Sequence, residues 1–257
     1  NKRSYLDIAT GTGQVLFELY DLFSSLVVAQ DLSESMMAVT QQKAGQLKQE
    51  GKADQEFKFV SGDVHIIVEL FAKENIEGKF DLVTIGEAFH WLKMEYMLEL
   101  IKEKLLEKGG SLAILSYPAP TFGLNSKDEE LNKEILKAFK EYIDSTHSDS
   151  KSDPRFDAEA LQNGYLNVPF KKYFGTVERD TEETNVPCSV EAVIGNLRSW
   201  TGYVQYVQKH GSEPGWIDPA EVLREKMEKV VEKAKENGSL LDQDKPLLRT
   251  VIFSLVI

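Results

Sequence analysis

Near the start of the chain, the run DIATGTG at residues 7 to 13 combines an acid with two glycines at a spacing suited to a bound nucleotide. Asp7 falls inside the end of an apolar run, while Gly11 and Gly13 permit a tight turn and let a ligand approach the backbone before a helix begins. A dinucleotide-binding fingerprint, GxGxxG, needs a third glycine where this chain has Leu16, so the close helix packing of a nicotinamide-nucleotide loop is not encoded. Asp31 follows twenty residues after Gly11 at the end of a second apolar run, where its carboxylate can accept hydrogen bonds from both hydroxyls of a ribose. Ser61, Gly62, Asp63 and Val64 come after a third run, and an acid there can accept from an adenine amino group, a placement unusual in nicotinamide enzymes.

Other residues suit contact with a second substrate. His90 follows a fourth apolar run, and the carboxyl ends of strands in open α/β sheets face the ligand crevice. His90 and Trp91 fit equally well a helix start packed on the sheet. Arg198, Trp200 and Tyr203 share one helical stretch, and an arginine among aromatics can grip a carboxylate bidentately in an apolar pocket. The same pattern also describes a surface arginine with a packed stem beside core aromatics. His65, His147 and His210 lack metal-ligand spacing, so no metal site is expected.

These residues require a framework that brings strand ends together. Apolar strand-like runs at Tyr5 to Ala9, Leu26 to Gln30, Phe57 to Val60, Phe80 to Ile85 and Leu112 to Tyr117 alternate with helical patterns, which specifies a parallel sheet with right-handed crossovers. A helix is expected from Gln14 to Phe23. A second is opened by Ser33, with Leu32, Met36 and Val39 on its apolar face, and a fourth-strand helix is ended by Gly109 and Gly110. Pro118 and Pro120 close the fifth strand. Beyond Pro120 come a helix from Asp128 to Ile143, a polar loop at 145 to 154, a β-like run from Phe170 to Val177 and helical segments around 189 to 208 and 220 to 236. The helix at 220 to 236 is expected to pack on the sheet through Leu223, Met227, Val230 and Ala234. Leu247 to Ile257 has eight apolar residues in eleven and is expected to be a buried strand.

The 257 residues and 42% hydrophobic content suit one α/β domain with insertions. Thirty basic against forty-two acidic residues give a net charge of -12, which disfavours nucleic acid and anionic membranes as partners. The single Cys188 allows no internal disulfide and no apolar run nears the roughly 20 residues of a membrane span, so a cytoplasmic, soluble and monomeric protein is expected. An apolar strand beginning almost at Asn1 suggests that a natural N-terminal segment is missing.

In order, DIATGTG, AQDLSESMM, SGDV, FDLVTIGEAFHW and GGSLAILSYP make roughly the first 117 residues similar to a class I S-adenosylmethionine-dependent methyltransferase of the methyltransferase type 11 group. AFHW, SYP and the later LRSWTGY at 197 to 203 are similar to fungal trans-aconitate methyltransferases. The resemblance implies a Rossmann-like fold, with a seven-stranded mostly parallel sheet, helices on both faces and a helical lid built from about 121–165 and 188–238, all in one domain whose cofactor half is 1–120. It implies S-adenosyl-L-methionine as cofactor, with Asp7, Ala9, Thr10, Gly11 and Gly13 around its methionine part and Asp31 on its ribose. Leu32 and Met36 would flank the adenine, with Asp63 and Val64 against its amino group and ring, and Gly86 and Glu87 beneath the sulfonium. Ala9-Thr10 departs from the glycine and cysteine or serine common in the group. His90, as a catalytic or acceptor-contacting residue, stands with Trp91, Tyr117, Arg198, Trp200 and Tyr203 on the acceptor side. The expected activity is methylation of a small molecule, a carboxylic acid above all; a non-catalytic cofactor-binding protein or a methyltransferase partner on the same fold is the alternative.

Overall fold

The computed structural model describes residues 3–117, 121–124, 126, 128–146, 157–240 and 246–256. It divides into two compact units: 1–116, 159–181 and 253–257 form the first, and 117–158 and 182–252 the second. The stretch 159–181 therefore belongs with 1–116, including residues 159–165 of the insertion expected at about 121–165.

In the first unit, strands β1 (Ser4–Ile8), β2 (Leu26–Asp31), β3 (Glu56–Ser61), β4 (Phe80–Gly86) and β5 (Leu106–Ser116) alternate with helices α1 (Gln14–Leu19), α2 (Glu34–Gln49), α3 (Ile67–Lys73) and α4 (Met94–Leu100). The five strands are parallel and lie in the order β3-β2-β1-β4-β5. The seven-stranded mostly parallel sheet expected from the resemblance is thus corrected to five parallel strands, because the later strands extend them by antiparallel pairing. Phe253–Val256, the end of the last strand, runs antiparallel to β5 between Ala113 and Ser116.

Side-chain alternation explains why both faces are covered. Leu6, Ile8, Val28, Val60, Val83 and Ile85 face one core, shared with Phe71 of α3 and Met97 and Leu98 of α4. Tyr5, Val27 and Ala29, one residue out of phase, face another with Leu16 of α1 and Met37 of α2. Strand order reverses at β1, which lies between β2 and β4, and ligands of such sheets bind at the carboxyl ends beside that reversal.

Three local expectations need correction. Gly109 and Gly110 do not end a helix; they lie in β5, where pairing with β4 slips between Phe80 and Leu82. A Cβ on Gly110 would come 2.9 Å from the Phe80 carbonyl oxygen, so the irregular pairing needs glycine there. Phe170 to Val177 is not a strand: Phe170–Lys172 is a single 3-10 turn, reached after the short helix α6 (Ala158–Gln162), and the next strand begins at Glu178. The face of α2 buried in the core is Met37, Thr40 and Ala44, leaving Leu32, Met36 and Val39 exposed.

The second unit contains β6 (Thr121–Leu124), α5 (Glu129–Thr146), most of β7 (Glu178–Pro187), α7 (Val190–Arg198), α8 (Thr201–His210), α9 (Pro219–Glu236) and the start of β8 (Pro246–Val256). Leu223, Met227, Val230 and Ala234 of α9 do form its buried stripe. They pack on α5 and α7, with Leu131, Ile135, Val193, Ile194 and Leu197, and not on the sheet as expected. Apolar stripes on three helices satisfy one another here, so no sheet face is needed. Of the polar loop expected at 145 to 154, Ser145 and Thr146 belong instead to α5, and the rest lies outside the described residues, as do Pro118, Pro120 and Ile257. No helix of the described residues is long and apolar enough to cross a membrane.

Candidate cofactor site

The carboxyl ends of β1, β2 and β3 gather the sequence-predicted cofactor residues of the first unit. In register, Asp7 sits beside Ala29 on one side and Thr84 on the other. Its carboxylate is almost fully buried and accepts from Thr10 Oγ1 at 2.6 Å and Thr84 Oγ1 at 2.5 Å. Since Thr84 spends its proton on Asp7, the Tyr5 hydroxyl 2.8 Å away donates to Thr84. Burial raises the Asp7 carboxyl to about 6, against the lowering effect of the two threonine hydroxyls. The same burial pushes the Tyr5 phenol far up.

The loop leaving β1 turns sharply. Ala9 lies at φ 54°, a left-handed conformation that favours glycine, and Gly11 and Gly13 follow at 56° and 80°. The departure from glycine noted in the sequence therefore falls on a residue whose backbone is strained. Asp31 holds the loop in place: Oδ2 accepts from the Gly11 amide and Oδ1 from the Ser33 amide, each at 2.7 Å. Ser33 caps α2 by accepting from the Met36 amide. A carboxylate has about four lone-pair sites, so Asp31 can accept from a ribose while keeping both amides.

Leu32 is 69% exposed and Met36 48% exposed, beside the buried Asp31. Apolar side chains left bare next to a polar strand end are suited to sandwiching a flat ring. A Cβ built on Gly11 would find only Met36 Sδ, at 3.9 Å, so the loop is open on that side. By contrast, a Cβ on Gly13 would lie 2.5 Å from the Phe17 ring and one on Gly86 2.9 Å from Val15. Both glycines thus make room for α1.

Asp63 caps the turn after β3, accepting from the His65 amide at 2.9 Å and meeting His65 Nδ1 at 2.7 Å. Its carboxyl is held below the usual range, first by the His65 backbone amide. Val64 beside it is buried. Glu87, half-buried past the end of β4, also has a left-handed backbone, φ 53°, and its amide donates to the Leu115 carbonyl.

His90 occupies a 3-10 turn, Phe89–Trp91, and is 3% exposed, with Nδ1 3.0 Å from the Tyr165 hydroxyl. Tyr165 has φ 59°, and Arg179 fixes its turn by donating to the carbonyls of Gly164 at 2.6 Å and Tyr165 at 3.0 Å. Trp91 is half-buried.

The remaining acceptor-side residues lie in the second unit. Tyr117 is half-buried at its start. Arg198 donates through Nη2 to Asp218, at 2.8 Å, and to Glu221, and Tyr203 donates to the same Asp218 carboxylate at 3.1 Å. Trp200 meets Phe139 edge-on against the helical core. The guanidinium is thus paired through Nη2 with two carboxylates of its own unit, which neutralise its charge.

Several site residues escaped sequence reasoning. Thr84 escaped because a threonine in FDLVTIG looks like ordinary strand composition, although its place opposite Asp7 needs the register. Gln30 is 2% exposed, and Thr40 Oγ1 and Lys43 Nζ reach back from α2 to the carbonyls of Gly11 and Thr12. A glutamine at an inward strand position was the one signal legible beforehand.

The fold is a Rossmann-like α/β sheet, with polar groups and a glycine-rich turn gathered at the carboxyl ends of its central strands. Residues 6–110 match the family model of the methyltransferase domain. A candidate methyltransferase of Dictyostelium discoideum is 24% identical over 245 residues, covering 94% of this chain and 79% of that protein. Among solved structures, a candidate type II methyltransferase from Anaeromyxobacter dehalogenans superposes with a TM-score of 0.55 at 15% identity, over 99% of this chain and 88% of the other. A candidate methyltransferase from Bacillus halodurans gives 0.52 at 17%, over 99% and 91%. The structural likenesses establish the fold, and residues 6–110 match a methyltransferase domain, for which the sequence resemblance implies S-adenosyl-L-methionine as cofactor.

The residues present fit that cofactor. A buried carboxylate at the end of β2, two bare apolar side chains beside it and an open glycine turn together offer a ribose acceptor, a slot for a flat ring and a close backbone approach.

Proposed function

We propose that the chain methylates a small-molecule acceptor, with a carboxylic acid of the trans-aconitate kind as the leading class. The observation that carries the cofactor half of this proposal is the exposed pair Leu32 and Met36 set against buried Asp31. The acid preference is supported by the resemblance in AFHW, SYP and LRSWTGY; Arg198, already paired, is not assigned to it.

In this scheme Asp31 accepts from the ribose, Leu32 and Met36 hold the adenine, and Asp63 and Val64 bound its amino edge. Asp7, Ala9, Thr10, Gly11 and Gly13 enclose the methionine end, where the Asp7 carboxylate faces an ammonium, and Gly86 and Glu87 lie under the sulfonium. When bound, the cofactor supplies an electrophilic methyl group. The chain's own residues align the acceptor and keep water away, since in-line displacement needs no protein nucleophile. An acid acceptor is already ionised and needs no base; for a hydroxyl or amine, His90, its ring held by Tyr165, is the group to take the proton. Trp91 and Tyr117 are assigned to the acceptor.

Calorimetric titration with S-adenosylhomocysteine should show micromolar binding that Asp31→Ala abolishes. Methyl-labelled cofactor with a panel of small carboxylic acids, phenols and amines should transfer label to an acid. Label confined to phenols or amines would overturn the acid preference, and tight binding of NAD in place of S-adenosylhomocysteine would overturn the whole scheme.

A further inference from the structure

We infer that Gln30 is a positioning residue that ties the loop after β1 to the loop after β3, and so sets the spacing between the methionine and adenine ends of the cofactor site. The inference rests on the assignment of those two loops to the cofactor.

Position 30 is one where the fold calls for a hydrocarbon. It follows Val28 on the same face of β2, and in register it lies between Ile8 of β1 and Val60 of β3, both core residues. A buried amide in such a row is costly unless it is hydrogen-bonded. Here it is bonded at both ends. Oε1 accepts from the Ala9 amide at 3.3 Å, and Nε2 donates to the Gly62 carbonyl at 2.6 Å. The Gln30 backbone carbonyl adds a third bond by accepting from the Thr10 amide at 2.9 Å.

The two residues that the side chain grips are the ones where each loop leaves its strand. Ala9 has φ 54° and Gly62 φ 144°, conformations that side-chain-bearing residues rarely adopt. Such turns persist when surrounding bonds over-determine them, and one amide reaches both. An apolar residue would fill the same space in the row but would leave the Ala9 amide and the Gly62 carbonyl without this partner. The polar choice is thus explained by the loops and not by the core. Gln30 touches the loops and not the reacting atoms, so its effect should appear in cofactor binding.

The test compares two ligands of the intact chain, S-adenosylhomocysteine, which spans both loops, and adenosine, which reaches only the ribose and adenine end. In Gln30→Met, a variant of similar volume without the amide, S-adenosylhomocysteine affinity should fall roughly 10- to 100-fold, the loss expected for two buried hydrogen bonds. Adenosine affinity should fall clearly less, because it does not need the two loops at a fixed separation. Gln30→Glu supplies an independent reading should Gln30→Met fail to fold. Its ionised carboxylate would oppose the Gly62 carbonyl, whereas its protonated form can donate to Gly62 and still accept from Ala9. The ratio of wild-type to Gln30→Glu affinity should therefore narrow as pH falls from about 8 to about 6, a response that loss of packing would not produce. Wild-type-like affinity for S-adenosylhomocysteine in the folded variants, or equal loss for both ligands, would overturn the inference. A wild-type chain that binds adenosine but not S-adenosylhomocysteine would overturn instead the assignment of the first loop.

Discussion

Asp7→Asn isolates the energetic cost of placing a carboxylate at the buried end of β1. Burial holds the Asp7 carboxyl at about 6 in the folded chain, against an ordinary value of 3.8. The folded state thus binds this proton more tightly than the unfolded state, so stability falls as pH rises through the interval between the two values and is flat above it. At 1.36 kcal/mol per unit, the full penalty at neutral pH is about 3 kcal/mol, and roughly half of it develops between pH 5 and 7.5. The asparagine keeps the shape and does not ionise; one threonine hydroxyl can go on donating to its carbonyl oxygen while the other rotates to accept from its NH2 group. The difference in unfolding free energy, Asp7→Asn minus wild type, should therefore grow by about 1 to 2 kcal/mol across that range, measured by urea titration at several pH values with both chains side by side. Other groups titrate equally in both chains and cancel. A difference that stays constant with pH would refute the assignment of a raised, buried Asp7. Because an ammonium at the methionine end would stabilise the charged form, saturating S-adenosylhomocysteine should shrink the pH-dependent difference and raise the wild type's unfolding temperature more than that of the variant.

Other consequences are more local. Ala9→Gly should leave stability unchanged or raise it by up to about 1 kcal/mol, since relief of a left-handed alanine offsets the greater freedom of glycine in the unfolded chain; a thermal-melt midpoint that falls would show that φ 54° carries no strain. Leu32→Ala and Met36→Ala, both at exposed positions, should change unfolding free energy by less than about 0.5 kcal/mol while weakening S-adenosylhomocysteine binding several-fold in calorimetry. Unaltered binding would remove them from the adenine slot. Arg198→Ala should lower the melting temperature by leaving Asp218 and Glu221 without their shared cation, yet leave KM for an acid acceptor unchanged; a large rise in KM at unchanged stability would return the arginine to the acceptor side.

Most of the cofactor framework was legible in the order of residues. The alternation of apolar runs with helical patterns specified the parallel sheet, and DIATGTG, Asp31 and Asp63 marked three strand ends, because backbone turns and short-range spacing are written locally. The seventeen residues of α2 and its cap illustrate the limit: Ser33 was readable as the cap, but its buried face was not, since Leu32 and Met36 are as apolar as Met37 and only the placement of α2 on β2 and β3 decides which side meets the core. Likewise α9 showed its apolar stripe without showing that α5 and α7 would cover it.

Local pattern was enough to specify the class of sheet and the turns at its strand ends, because periodicity and turn residues act over a few positions. Tertiary structure alone decided which residues meet from a distance. Thr84 meets Asp7 through strand register, Gln30 joins two loops across β2, and Asp218 with Glu221 claims Arg198 across a helix packing. Hydrogen bonds and ion pairs between residues twenty to eighty positions apart depend on how elements are laid side by side, and no local pattern records that.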